Sequence, residues 1–191
     1  MSSGKPVLAI LAGGGSRRFG SDKALLKVGG LTLLEQLAEL GRSAGLRVAV
    51  VGRGQPEPWR GPPTTFLEDA LPGRGPLGGL AAALERFPVV LAVSCDLPRL
   101  DLSAIDWLLA AAALHPSSPG VAVRCDGVVQ PLFAVWRRRS RPAVQAALEA
   151  GKLALHKVVE EADLSIVTAP VWLGPLLRDV DTPEDWDRLR G

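Results

Sequence analysis

Three consecutive glycines, Gly13, Gly14 and Gly15, stand directly after an apolar run and are followed by Arg17, Arg18 and Lys23. Glycines let a backbone approach a ligand closely and aim its N–H groups, and the cations add positive charge. The segment is therefore suited to cradling a phosphate chain. Spacing excludes two familiar cradles. A dinucleotide fingerprint, G-x-G-x-x-G, read from Gly13 and Gly15 needs a third glycine where Arg18 stands. A P-loop, G-x-x-x-x-G-K-[ST], accepts Gly15 and Gly20, but Ser21 and Asp22 follow and lysine arrives only at Lys23. Two other segments carry polar chemistry. EDALPGRGPLGGL, residues 68–80, combines Asp69 with Gly78 and Gly79. VVLAVSCDLPRL, residues 89–100, is an apolar run ending at Cys95 and Asp96.

LAGGGSRRFGSDKALL, residues 11–26, resembles the L-A-G-G-x-x-x-R-x-G-x-x-K signature of nucleotidyltransferases that take an NTP and release pyrophosphate. Within them it is most similar to the molybdenum cofactor guanylyltransferases, the MobA family. EDALPGRGPLGGL resembles that family's E-D-x…G-P-L-x-G segment, and CDLP its C-D-x-P strand end. VQPLFAVW, residues 129–136, and DVDTPEDW, residues 179–186, resemble its H/Q-P-x-F-A-L strand and its terminal N-x-N-T-P-E segment. The likeness covers nearly the whole chain and is strongest in the first half. Two departures stand out. Asp179 and Asp181 replace the family's two asparagines, and Gly52 or Arg53 stands where the family often has an Asn near the ribose.

The resemblance implies transfer of GMP from GTP to the terminal phosphate of molybdopterin, with or without molybdenum bound, and release of pyrophosphate. Amides of Gly13, Gly14 and Gly15, with Arg18, would hold the β- and γ-phosphates. Lys23 would neutralise charge on the α-phosphate. Leu11 and Ala12 backbone groups, with Gly78 or Gly79, would read guanine, and Asp69 would contact the nucleotide or form an Asx turn. An Asp at the carboxyl tip of a buried strand beside a phosphate loop suits Mg²⁺, which one or two carboxylates plus substrate phosphates commonly hold. Asp96 is that residue. Asp181 has two readings, a metal ligand or a helix cap. Gln130 either faces the pterin or belongs to a structural edge strand, which Pro131 also fits. A phosphate nucleophile is already ionised, so the lack of a Ser–His–Asp set or paired catalytic carboxylates is consistent. Cys95 reads as a small buried residue, not a nucleophile.

These groups need elements to position them. Val7–Leu11 and Val89–Ser94 read as parallel strands buried on both faces. Residues 31–44 show apolar positions at helical spacing and end at Gly45. Strands are expected at 46–51 and 64–67, a loop at 52–63, and helices at 79–86 and 103–114, the latter capped by Ser103 with Asp106. Asp126-Gly127 predicts a two-residue hairpin between 121–124 and 128–136. Helices at 142–150 and 153–161, a strand at 164–167 and a helix opened by Thr182, Pro183 and Asp185 complete the chain. The alternation predicts one α/β domain over residues 1–191. With the resemblance, it is a three-layer Rossmann-like nucleotidyltransferase fold: a mostly parallel sheet with a late antiparallel hairpin and helices on both faces. Ligands in such sheets bind beyond the carboxyl ends of the strands.

Composition narrows the rest. The chain has 191 residues, 47% of them hydrophobic, and a net charge of +2. That balance is too mild for nucleic-acid binding. The one dense basic run, RRRSR at 137–141, reads as a solvated helix start or a local anion contact. No apolar run approaches the length of a membrane helix, and the two cysteines read as free thiols in a reducing cytoplasm. His115 and His156 match no motif and read as helix-surface or helix-end residues. The expected partners are GTP and molybdopterin, with transient contacts to other molybdenum-cofactor proteins and acceptor enzymes. The rivals are a related cytidylyltransferase, a sugar-phosphate nucleotidyltransferase, or a nucleotide-binding regulator without catalysis.

Overall fold

A computed structural model describes residues 5–13, 22–68, 73–180, 182 and 185–186. Its strands are β1 Val7–Leu11, β2 Lys27–Val28, β3 Leu31–Thr32, β4 Arg47–Val51, β5 Thr65–Leu67, β6 Val89–Ser94, β7 Gly120–Cys125, β8 Val128–Arg137 and β9 Ser165–Thr168. Its α-helices are α1 Leu33–Ser43, α2 Gly75–Arg86, α3 Leu102–Ala113, α4 Arg141–Glu149 and α5 Leu155–Glu161.

The main sheet has seven strands in the order β5-β4-β1-β6-β8-β7-β9. The pairs β1–β4, β1–β6, β4–β5 and β7–β9 are parallel, and β8 runs against both its neighbours. Alternation of side chains divides β1 between two cores. Val7, Ala9 and Leu11 join a layer containing Leu80 and Leu84 of α2, Leu148 of α4 and Val158 of α5. Leu8 and Ile10 join the opposite layer with Leu34 and Leu37 of α1 and Ile105 and Leu108 of α3. This is the three-layer α/β arrangement expected from the sequence. Each fully buried Leu or Ile here contributes roughly 1.5–3 kcal/mol.

The Asp126-Gly127 turn is present, with φ of 49° and 79° at its two residues. Its second strand, β8, lies between β6 and β7 and is not an edge. Pro131 is tolerated there because the β7–β8 register shifts between Ala122 and Val123, and β6 pairing stops at Phe133. The missing amide of Pro131 therefore removes no ladder bond, and its carbonyl accepts the indole N–H of buried Trp136 at 3.0 Å.

Local chemistry moves several helix starts. Helix α1 begins at Leu33, because Thr32 and Glu35 form a capping box. The helix expected from 79 begins at Gly75, so Gly78 lies inside its first turn. Ser103 does not cap α3. Asp101 does, accepting from the Ala104 amide at 3.0 Å, and the Ser103 hydroxyl donates to the same carboxylate. Arg137 is no solvated helix start either. Its guanidinium donates to the carbonyls of Ala112, His115 and Ser118 and so closes the carboxyl end of α3. The ribbon β2–β3 and the 3-10 segment Val171–Leu177 carry no periodic signal in the sequence.

Glu35 is 3% exposed and fully used. One carboxylate oxygen accepts from the amide and hydroxyl of Thr32, and the other accepts from the Arg60 amide at 2.7 Å. Burial raises its pKa, but the Thr32 and Arg60 donors and the Arg60 charge outweigh it, leaving the carboxyl below its ordinary 4.5. Glu35→Gln is expected to cost about 1–3 kcal/mol at neutral pH. Because the folded pKa is depressed, the carboxylate's contribution is complete above pH 4.5 and is lost as pH falls through the folded value. Denaturant titrations of both proteins from pH 7 to pH 3 should show the gap closing on acidification (the pH range is about that of carboxylate titration).

Candidate nucleotide site

The carboxyl ends of β1, β4, β5 and β6 meet at one edge of the sheet. Two bonds carry the ladder past the strands: Ala12 N–H to Val51 carbonyl at 2.9 Å, and Gly52 N–H to Leu67 carbonyl at 2.8 Å. Leu11 is 5% exposed, and Ala12 and Gly13 are half-buried at the rim. Gly13 and Gly52 touch through their backbones. A Cβ on Gly52 would lie 2.5 Å from the Gly13 Cα, and Gly52 has φ +98°. Glycine is required there on both counts.

Lys23 opens a 3-10 turn, Lys23–Leu25, capped by Asp22, whose carboxylate accepts the Ala24 amide at 3.1 Å. The other oxygen of Asp22 accepts from the Arg53 guanidinium at 2.7 Å. Asp96 follows β6 at the same edge and is half-buried. Its carbonyl accepts the Val180 amide at 3.1 Å. Val180 packs with Leu33 and Trp186, against which Leu26 and Val28 lie. The carboxyl-terminal segment thus joins the Asp96 strand end to the turn that carries Lys23. Thr182 and Asp185 cap each other through 2.8–3.2 Å bonds, as the sequence predicts.

Cys95 is half-buried beside Asp96. Burial, then the Asp96 and Asp22 carboxylates, push its thiol up to about 12, with Arg53 opposing. It stays protonated at neutral pH, in agreement with a non-nucleophilic role. Cys125 is also a free thiol. His115 is half-buried after the end of α3, and His156 is exposed on α5.

Of the residues singled out in the sequence, Leu11, Ala12, Gly13, Lys23 and Asp96 lie on this edge. Gly78 is buried in the first turn of α2, and Gly79 faces Leu11 and Val51 side chains, which makes it a packing position. Gly14, Gly15, Arg18, Asp69 and Asp181 lie outside the described residues. Gln130 pairs with Val123 beyond the end of the β6 ladder, toward the same edge. Sequence reasoning missed the Asp22–Arg53 pair. Its one available signal was that Asp22 directly precedes Lys23.

A mostly parallel sheet covered on both faces, with Gly13, the lysine turn and the aspartate at the carboxyl edge, defines an α/β protein of the nucleotidyltransferase fold. Molybdopterin-guanine dinucleotide biosynthesis protein A from Archaeoglobus fulgidus has the same fold, with TM-score 0.77, 21% identity and 96% coverage of both chains. So does 2-C-methyl-D-erythritol 4-phosphate cytidylyltransferase from Thermus thermophilus, with TM-score 0.69, 22% identity and 96% coverage of both. Residues 8–165 match the MobA-like NTP transferase domain, and the chain belongs to that family. It is 31% identical to the molybdenum cofactor guanylyltransferase of Pseudomonas paraeruginosa over 179 residues, 85% of this chain and 90% of the relative.

Proposed function

We propose that this protein transfers GMP from GTP to the terminal phosphate of molybdopterin, forming molybdopterin guanine dinucleotide. The observation that carries the reading is the meeting of the Leu11–Gly13 backbone, the Lys23 turn and Asp96 at one sheet edge. The choice of guanine and pterin is supported by the likeness to the Pseudomonas guanylyltransferase. A phosphate oxygen of molybdopterin attacks the α-phosphorus of GTP. The bond to the β-phosphate oxygen breaks, and its electron pair leaves with pyrophosphate. The nucleophile is already anionic, so positioning and charge neutralisation supply the catalysis.

Lys23 neutralises charge on the α-phosphate. Gly13, with Gly14, Gly15 and Arg18, holds the outer phosphates, and Leu11, Ala12 and Gly78 line the guanine side. Asp69 contacts the nucleotide. Among the described residues no group of three or more His, Cys, Asp or Glu could hold a metal. The Asp96 carboxylate after β6 fits Mg²⁺ arriving with a triphosphate, held together with substrate oxygens, because Mg²⁺ needs only one or two carboxylates in such sites. Asp181 is a second candidate donor. Bound there, Mg²⁺ would offset the negative charge of the phosphates. The reading extends to one nucleotidyltransferase domain over residues 1–191, supported by a sheet that draws strands from both halves of the chain. It also extends to a cytoplasmic location, supported by two unpaired thiols. No described helix is long and apolar enough to cross a membrane. Transient contacts with other molybdenum-cofactor proteins and acceptor enzymes belong to the same reading.

Calorimetry with GTP, CTP, ATP and UTP, each with Mg²⁺, tests the assignment. GTP should bind preferentially and, with molybdopterin, release pyrophosphate steadily. Preference for CTP would transfer the reading to a cytidylyltransferase, and binding without turnover to a regulator. A backbone variant tests the edge itself. Gly52→Ala puts a methyl group into Gly13 at a left-handed φ, and should lower kcat/KM for GTP about 10- to 100-fold. Unchanged kcat/KM would separate the Gly13 contact from nucleotide binding.

A further inference from the structure

We infer that Asp22 and Arg53 form a clasp that positions Lys23, making both of them positioning residues for nucleotidyl transfer. The inference rests on the reading of Lys23 as the α-phosphate cation.

One carboxylate does two separate things. Asp22 Oδ1 accepts the Ala24 amide at 3.1 Å and so fixes the backbone of the turn that Lys23 opens. Asp22 Oδ2 accepts from Arg53 Nη1 at 2.7 Å, across 31 positions of sequence. The Asp22 and Lys23 carbonyls close the same turn, accepting from Leu25 at 3.0 Å and Leu26 at 3.1 Å. Arg53 is in turn rooted in the sheet. It follows Gly52, whose amide bonds the Leu67 carbonyl and whose Cα lies against Gly13. The clasp therefore ties the lysine turn to the place where the glycine loop leaves β1.

The pair is shielded on the arginine side and open on the other, where the Asp22 side chain is 46% exposed. The Arg53 side chain is 19% exposed, and its Nε is buried with no hydrogen-bond partner among the described residues. A lysine has a long flexible stem, and fixing its Cα from the sheet side narrows the region its ammonium searches. Because the benefit concerns charge that develops during transfer, its loss should appear in kcat more than in KM.

The test measures kcat, KM for GTP and Tm in Asp22→Asn, Arg53→Ala, the double variant and Lys23→Ala, with pyrophosphate release as readout. Asp22→Asn keeps the capping oxygen and removes the charge. Each single variant should lose about tenfold in kcat, with KM within about threefold and Tm near that of the parent. The double variant should lose no more than either single, since one clasp is broken once. Parental kcat in both singles, with Lys23→Ala inactive, overturns the clasp and leaves the Lys23 reading standing. Losses that multiply overturn it too, because the residues then act separately. Losses that track a fall in Tm reduce the pair to packing. Near-parental turnover in Lys23→Ala overturns the Lys23 reading itself, and the clasp with it.

Discussion

Asp96→Ala is expected to lose about 10²–10³ in kcat while remaining folded, the scale seen when one preorganised electrostatic group is removed from a site. The fold should survive because Asp96 serves the structure through its backbone. Its carbonyl accepts the Val180 amide, and that bond needs no carboxylate. The strand behind it is held by parallel pairing with β1 and antiparallel pairing with β8, neither of which involves the Asp96 side chain. The lost group is the carboxylate that directly follows β6, the one proposed to hold the metal. The deficit should therefore respond to metal. Raising Mg²⁺ should recover part of the rate, and the Mg²⁺ midpoint for GTP binding should move upward. Pyrophosphate release across a Mg²⁺ titration checks both. Near-parental turnover at low Mg²⁺ would remove Asp96 from the metal assignment.

Lys23→Ala should produce a loss of similar size, again about 10²–10³ in kcat, with a smaller rise in KM for GTP. An ammonium beside the α-phosphate does most of its work when negative charge spreads over the phosphoryl group, so its removal raises the barrier more than it weakens ground-state binding. Stability should change little, since the turn is capped by Asp22 and buried through Ala24. Lys23→Arg should recover only part of the loss. A planar guanidinium keeps the charge but presents it as a wider fork at a different reach. Single-turnover measurements distinguish the expected slow transfer step from slow release. A Lys23→Ala protein that bound GTP poorly yet turned over at the parental rate when saturated would make Lys23 a binding group alone.

The two variants probe one edge, and that edge is built by contacts between distant parts of the chain. Leu26 and Leu33 come from the first fifth of the sequence and Val180 and Trp186 from its end, yet they share one small core. Through it the Lys23 turn and the Asp96 strand end are held together. The Pseudomonas guanylyltransferase aligns over 85% of this chain, so the likeness extends well beyond the glycine loop.

The sequence by itself determined what short-range physics controls. Uniform apolar runs marked β1 and β6 as strands buried on both faces, because only such strands lack alternation. Asp126-Gly127 set the hairpin, since both residues take positive φ in the turn. The glycine–arginine–lysine offsets and the C-D-L-P strand end pointed to the candidate nucleotide site through their resemblance to the MobA-family motifs. Tertiary structure decided what depends on partners far along the chain. It gave α3 its cap at Asp101 and its closing guanidinium at Arg137, and it seated β8 in the interior with Pro131 past the end of the β6 ladder. It set Gly52 against Gly13, Arg53 against Asp22 and Val180 against Asp96. A hydrogen bond or a backbone contact between residues so far apart leaves no periodicity in a sequence, so only the folded chain shows which residues hold the site in place.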